Sequence, residues 1–401
     1  MSVESAEQAL SEALDDLAVA GEALRRRTPA QIAEALADAW ERIADPERAL
    51  GRAARGRLPA SSGLTLPMVA WALSTTLGGA RESLAALARE MAPPPGVIAT
   101  PHRLGALILA GNVFTACVQP LSVALLARSP LLVKASSADD VLPRLFVDAL
   151  REVDPELAAA VLVVSFPRGT EALEATILHH AAAVSVYGSD STLAAIRART
   201  DANTTFIAHG HGLGLGWVDA GEDVEEAAGR FALDVAAYDQ RGCMSPHAIA
   251  IERGGEAFAR ELARALERIA VELPRGPLST QVGATQMQWR GVAAARGVLH
   301  EGDGWAVSFE PVAAPRLSPG ARNVMVFEAG GLESFAERAS VIGPHLKTLG
   351  VAGDLERVAR VLPPGVSPRV CPAGTMQTPG LLAYADGLPA WEGWRRFVTV
   401  G

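Results

Sequence analysis

Up to about residue 92 the apolar positions recur at helical spacing, with Leu10, Leu14 and Leu17 on one face. Thr28-Pro29-Ala30-Gln31 reads as a helix start: Thr28 caps, Pro29 suits the first helical position, and Gln31 completes a capping box. Ile32, Leu36, Trp40 and Ile43 then share a face. Asp45-Pro46-Glu47 opens another helix, Gly78-Gly79 interrupts the next, and Pro93-Pro94-Pro95 ends the block. From residue 100 the pattern changes to short apolar runs separated by amphipathic stretches. Strands are predicted at 104–109, 130–134, 159–166, 183–187 and 204–208, and helices at 119–127, 141–152, 170–179 and 191–200. An acidic helix over 222–238 follows. Further strands are predicted at 247–252, 305–309, 323–328 and 368–371, with a helix over 254–272 whose inner face carries Phe258, Leu262, Leu266 and Ile269.

Strict alternation of strand and helix predicts an α/β fold with mostly parallel sheets covered on both faces. We divide the chain into an N-terminal helical segment (1–98), a first Rossmann-like α/β domain (99–240), a second α/β domain (241–365) and a C-terminal extension (366–401). Ligands of such sheets sit at the carboxyl ends of strands. Those ends are Ala110-Gly111-Asn112, Lys134-Ala135-Ser136-Ser137, Pro167-Arg168-Gly169 and Tyr187-Gly188-Ser189.

Composition narrows the function classes. With 49% hydrophobic residues over 401 positions the chain has ample material for cores. A balance of 36 basic against 45 acidic residues gives net charge −9, and the densest basic run is Arg25-Arg26-Arg27, which argues against a nucleic-acid partner. The apolar stretch 104–127 contains Gly105, Gly111, Asn112, Gln119 and Pro120 and lacks an aromatic belt, so it reads as strand, turn and buried helix rather than a membrane span. The polar, acidic N-terminus shows no secretory signal, and three scattered cysteines fit a reducing cytoplasm.

Few residues are candidates for chemistry. The glycines at 210, 212, 214 and 216 recur with period two, which is not a dinucleotide fingerprint and reads as a strand packed closely on its neighbours. The pairs His179-His180 and His209/His211 do not supply the three or four convergent ligands of a metal site, so no metal is expected. His209 or His211 remains a candidate proton-transfer group. Cys243 follows Gly242 in a polar loop between a helix and a strand, an unusual place for a packing cysteine and a suitable one for a nucleophile. Cys117 and Cys371 read as core.

Several segments taken in order carry a resemblance: Leu109-Ala110-Gly111-Asn112-Val113, Val133-Lys134-Ala135-Ser136-Ser137, Ile207-Ala208-His209-Gly210-His211, and Asp239-Gln240-Arg241-Gly242-Cys243-Met244-Ser245-Pro246. From about residue 60 onward the chain resembles the aldehyde dehydrogenase superfamily, and more closely its acyl-CoA and acyl-protein thioester reductases. The resemblance implies a cytoplasmic enzyme that reduces a fatty acyl thioester, from acyl-CoA or an acyl carrier, to the aldehyde with NADPH. Cys243 would form the acyl-enzyme. Asn112 and the backbone N–H of Cys243 would hold the oxyanion. Gly111, Lys134, Ser136, Ser137, Gly188 and Ser189 would line the cofactor site. Ser137 stands where NAD-preferring relatives carry a ribose-binding glutamate, which favours NADPH. Ala208 stands where hydrolytic relatives carry the water-activating glutamate, which favours reduction. The resemblance also implies a homo-oligomer. The stretches Gly374-Thr375-Met376-Gln377 and Tyr384-Ala385-Asp386-Gly387 depart from the family pattern and are placed at the acyl or cofactor pocket. Two alternatives stay open: another oxidoreductase of the superfamily, or a non-catalytic member that binds acyl-CoA or nucleotide.

Overall fold

A computed structural model describes residues 3–167, 169–311 and 315–401. Five parallel strands form the first sheet, in spatial order Val161–Ser165, Leu131–Ala135, Gly105–Ile108, Ala183–Tyr187 and Thr205–His209. The chain starts at the central strand, winds to one side, then returns and winds to the other. A parallel sheet needs cover on both faces, and alternate residues divide between the two covers. Leu107, Leu131 and Val133 pack with helices 118–126 and 141–153. Ala106, Ile108 and Leu132 pack with helices 171–180 and 190–197.

The N-terminal helices complete both covers. Leu10, Leu14 and Leu17 of helix Val3–Arg26 join the face that holds Leu132, and such side chains contribute about 1.5–3 kcal/mol each when fully buried. Helix Pro29–Ala44, with the predicted capping box at Thr28 and Gln31, joins the opposite face. There Trp40 stacks on Phe146 with centroids 4.2 Å apart, and its indole N–H donates to Ser122 Oγ at 3.1 Å.

The second sheet has seven strands, in order Arg369–Pro372, Leu346–Ala352, Leu213–Val218, Pro246–Ile251, Asn323–Glu328, Trp305–Phe309 and Val298–Gly302. All pairs are parallel except the last. The crossover from one sheet to the other lies between His209 and Leu213, ahead of the expected boundary at 240/241. The glycine-rich strand causes this shift. A Cβ on Gly216 would stand 2.6 Å from the Phe231 ring, and one on Gly214 would stand 2.5 Å from Met244 O. These glycines let the strand nest deep in the second sheet. Nor is the expected C-terminal extension separate: Arg369–Pro372 edges the second sheet, and Arg395–Thr399 pairs antiparallel with Val97–Pro101. Strands Val97–Pro101, Val298–Gly302, Leu346–Ala352 and Arg395–Thr399 were not anticipated. Among the described residues no helix is long and apolar enough to cross a membrane. The 104–127 stretch is a strand, a 3-10 turn and a helix.

Candidate active site

The carboxyl ends of the first sheet meet the amino ends of the second. Tyr187 and His209 end strands of the first sheet, whereas Cys243 lies just before Pro246–Ile251 and Lys347 is the second residue of Leu346–Ala352.

The loop that carries Cys243 is held from below. Tyr238, Asp239 and Gln240 have φ of 51°, 53° and 59°, a left-handed run that costs side-chain-bearing residues on the order of 1–3 kcal/mol each. Buried hydrogen bonds hold it. Asp239 accepts from Arg322 Nη2 (2.8 Å) and Nε (3.2 Å) and from Gly276 N (3.0 Å). The Gln240 amide donates to Pro246 O (2.7 Å) and Asn323 O (2.8 Å) and accepts from Asn323 N (2.9 Å). Arg241 donates to Ser62 O (2.7 Å) and Gly63 O (3.2 Å), so the N-terminal helices also fix the loop. Gly214 N donates to Ser245 O at 2.8 Å, and the buried Gln377 donates to Ser245 Oγ at 3.1 Å.

Of the three cysteines, Cys243 is exposed while Cys117 and Cys371 are buried. Cys243 reaches solvent, yet the protein around the sulfur desolvates its thiolate. Burial therefore pushes the thiol up, Lys347 opposes this, and Asp386 adds to it. Asn112 lies exposed in the turn after Gly105–Ile108, and the next residue, Val113, faces Gly242: a Cβ there would sit 3.6 Å from the valine methyl. Tyr238 ties the two segments through a 2.8 Å hydrogen bond with Thr115 Oγ1.

His209 stacks on Tyr187 with ring centroids 4.1 Å apart, and its Nδ1 lies 3.9 Å from Asp386 Oδ2. Burial depresses His209 to about 4, with Asp386 opposing and Lys347 assisting, so the imidazole is neutral at neutral pH. It therefore carries no proton to donate as imidazolium there. His211 is exposed, and its carbonyl is the partner of His345 Nδ1 at 3.1 Å. Lys347 forms an ion pair with Asp386. Sequence reasoning missed Lys347 as a site residue, whereas Tyr187 and Gln377 lie in segments it marked, the strand end at 187–189 and the stretch 374–377, without a role of their own. One signal was available: Lys134 and Lys347 are the chain's two lysines, among 36 basic residues.

A nicotinamide dinucleotide is the cofactor that this fold implies, and the first sheet has a place for it. The winding direction reverses beside Gly105–Ile108, which opens a crevice beyond that strand and Ala183–Tyr187. Gly111 and Gly188 border it. A Cβ on Gly111 would stand 2.6 Å from Ser136 Oγ, and one on Gly188 would stand 3.1 Å from Thr192 Cβ, so glycine lets each strand end pack closely on the next segment at the crevice edge. Ser189 caps helix Asp190–Arg197 by accepting from Thr192 N at 3.3 Å. Helix amino ends of this kind suit phosphate. Lys134 is buried at the end of its strand with its ammonium 5.1 Å from the Phe166 ring centre, and Ser137 is exposed beside it. The carboxylates that follow are engaged: Asp139 accepts from Ser61 Oγ at 3.1 Å and is raised to about 6 by burial, and Asp140 accepts from Arg144 at 2.6 Å. These residues fit a dinucleotide. The strand end at Pro167-Arg168-Gly169 falls in part on Arg168, which lies outside the described residues.

The chain is similar to the long-chain acyl-protein thioester reductase of Aliivibrio fischeri, 28% identical over 184 residues that make up 45% of this chain and 38% of that protein. It is similar to long-chain acyl-protein thioester reductase 2 of Photobacterium leiognathi at 27% identity over the same shares. The matched stretch thus spans well under half the length of these relatives. Among solved structures, aldehyde dehydrogenase 21 from Physcomitrella patens superposes with TM-score 0.77 at 13% identity over 98% of this chain and 90% of that one. A putative aldehyde dehydrogenase PutA from Anabaena variabilis gives TM-score 0.74 at 17% identity over 98% and 94%. The fold is that of the aldehyde dehydrogenases, and with the family described as acyl-CoA reductase (LuxC) matching residues 77–390, the chain belongs to that family.

Proposed function

We propose that this protein reduces a fatty acyl thioester to an aldehyde through an acyl-enzyme on Cys243, with NADPH as reductant. The observation that carries the reading is the solvent-open Cys243 at the junction of the two sheets, beside the Asn112 turn and within reach of a dinucleotide-type crevice. The similarity to long-chain acyl-protein thioester reductases supports the substrate class.

In this scheme the Cys243 thiolate attacks the thioester carbonyl carbon. The resulting oxyanion lies between the Asn112 amide and the Cys243 N–H. The C–S bond to the donor then breaks, the donor leaves as a thiol after taking a proton, and the acyl group stays on Cys243. Losing one such oxyanion donor costs on the order of 3 kcal/mol of transition-state stabilisation. The chemistry that a reduced nicotinamide would supply in that crevice is one hydride to the acyl carbon, which would convert the acyl group to aldehyde and free Cys243 as thiolate. Gly111, Lys134, Ser136, Ser137, Gly188 and Ser189 would hold the dinucleotide. Ser137 supports a 2′-phosphate, because a carboxylate there would repel it. Ala208, exposed on Thr205–His209, offers no base to activate water, so the acyl-enzyme is spared hydrolysis.

The test is the intact-protein mass after incubation with acyl-CoAs of differing chain length, paired with NADPH consumption. An acyl adduct that vanishes in Cys243→Ala, together with aldehyde formation, supports the reading. An adduct with no hydride transfer, or no adduct at all, overturns it.

A further inference from the structure

The acylation scheme leaves Lys347 and Asp386 without a task, yet both are built into the floor of the cleft. The Lys347 side chain is 15% exposed, and its stem lies flat across Gly212: a Cβ there would stand 2.1, 2.9 and 2.8 Å from its Cγ, Cδ and Cε. Any side chain at 212 would displace it. The next residue, Thr348, pairs in register with Gly214, whose N–H bonds Ser245 O. Lys347 therefore stands beside the loop of Cys243. Asp386 is presented by a tight turn. Ala385 and Leu388 exchange backbone hydrogen bonds of 2.9 and 3.0 Å, and Asp386 and Gly387 both have positive φ, 53° and 78°. An Asp-Gly pair with both residues at positive φ is a favoured hairpin turn. That turn aims one carboxylate at Lys347 and toward His209.

We propose that Lys347 is a positioning residue for Cys243: held over Gly212 and paired with Asp386, it is the fixed cation that favours the thiolate. Asp386 fixes Lys347 in place and moderates its effect, and carries the same charge balance to His209. Lys347 and Asp386 are the charged groups that act on the Cys243 thiol, with opposite signs, and the Tyr187 hydroxyl, whose ring stacks on His209, is itself pushed up in part by the same thiol. Arg241, on the same loop, is committed to Ser62, Gly63 and Asp239. This assignment rests on Cys243 being the acylated nucleophile.

The two partners act on the thiol with opposite signs, which gives a test that a merely structural role would fail. The rate at which iodoacetamide alkylates Cys243 is followed against pH in the full chain, and the modified peptide is identified by mass. Lys347→Met keeps the stem over Gly212 and removes the charge. Its midpoint moves up, and the rate at pH 7 falls about 3–10-fold, since one pKa unit is tenfold in thiolate. Asp386→Asn keeps the turn, because Asn-Gly suits the same geometry. Its midpoint moves down, and the rate rises by a similar factor. Lys347→Arg stays within about twofold of the native rate. Coincident profiles, or both substitutions moving the midpoint the same way, overturn the proposal. Should Lys347→Met not fold, Asp386→Asn decides alone: a midpoint that rises or stays overturns it. If acyl-CoA labels native Cys243 while the midpoints coincide, this inference fails by itself. If the midpoints split but no acyl group is taken up, the reductase reading fails and the charge assignment stands.

Discussion

Asp239→Asn tests how the strained loop beneath Cys243 is held. Asp239 and Arg322 are each 1% exposed, and the carboxylate takes N–H groups on both oxygens: Arg322 on Oδ1, and Gly276 N and Arg241 on Oδ2. Burial pushes the Arg322 guanidinium down, with Arg275 adding to it, and Asp239 is what opposes it. Asparagine has the same shape, so no cavity forms, but it removes the negative charge and turns an NH₂ toward one set of donors. Removing one partner of a buried ion pair costs about 3–5 kcal/mol. A donor facing a donor adds about 1 kcal/mol or more. The expected loss is about 4 kcal/mol of unfolding free energy, read by urea denaturation. Alkylation of Cys243 should change in rate as well, because residues 238–240 lose the contacts that offset their left-handed backbone. Asp239→Asn combined with Arg322→Met should recover most of the loss, since methionine needs no counter-charge. A loss under about 1 kcal/mol, or a double variant no more stable than the single one, would refute the reasoning.

Asn112→Ala should slow acylation of Cys243 by acyl-CoA on the order of 100-fold with acyl-CoA affinity unchanged, measured by rapid quench and equilibrium binding; an equal loss in both would show a binding role instead. Ala208→Glu should divert acyl-enzyme to free fatty acid, detected by product chromatography; an unchanged ratio of aldehyde to acid would remove Ala208 from the account. His209 is held near 4 against an ordinary 6.5, so the folded state excludes a proton that the unfolded chain takes up. Its contribution is whole above pH 6.5 and is lost as pH falls through 4, about 3 kcal/mol in total. Denaturation of His209→Gln from pH 7 to 4 should therefore show a shallower decline than the native protein, and parallel curves would contradict the burial argument.

The elements of the first sheet were legible because strand and helix periods differ and each run is bounded by a cap, a glycine or a proline. Ala183–Tyr187 was placed to the residue, and the other four strands to within two residues at either end. The unanticipated strands failed for a local reason. Val97–Pro101 contains a proline and pairs only with a segment almost three hundred residues later, so nothing near it in the chain announces a strand. Leu346–Ala352 begins directly after a Gly-Pro-His turn and carries Lys347 and Thr348 at its start, which blurs its apolar run. Cys243 was legible from its polar loop and its neighbours, and the structure adds that it is open to solvent where Cys117 and Cys371 are not. The Asp386-Gly387 pair was visible as a departure from the family pattern, with no clue in its neighbours to the lysine it would meet.

Sequence alone determined the class of fold, the mostly parallel sheets, the strand ends that border the crevice and the thiol singled out as candidate, because these depend on periods, caps and residue types within a few positions of one another. Tertiary structure decided the charge around that thiol. Lys347, Asp386, Tyr187 and His209 come from four separate segments, and the pattern within each gives no hint of the others. Only the meeting of two sheets gathers them beside the Cys243 loop, where desolvation makes each charge count.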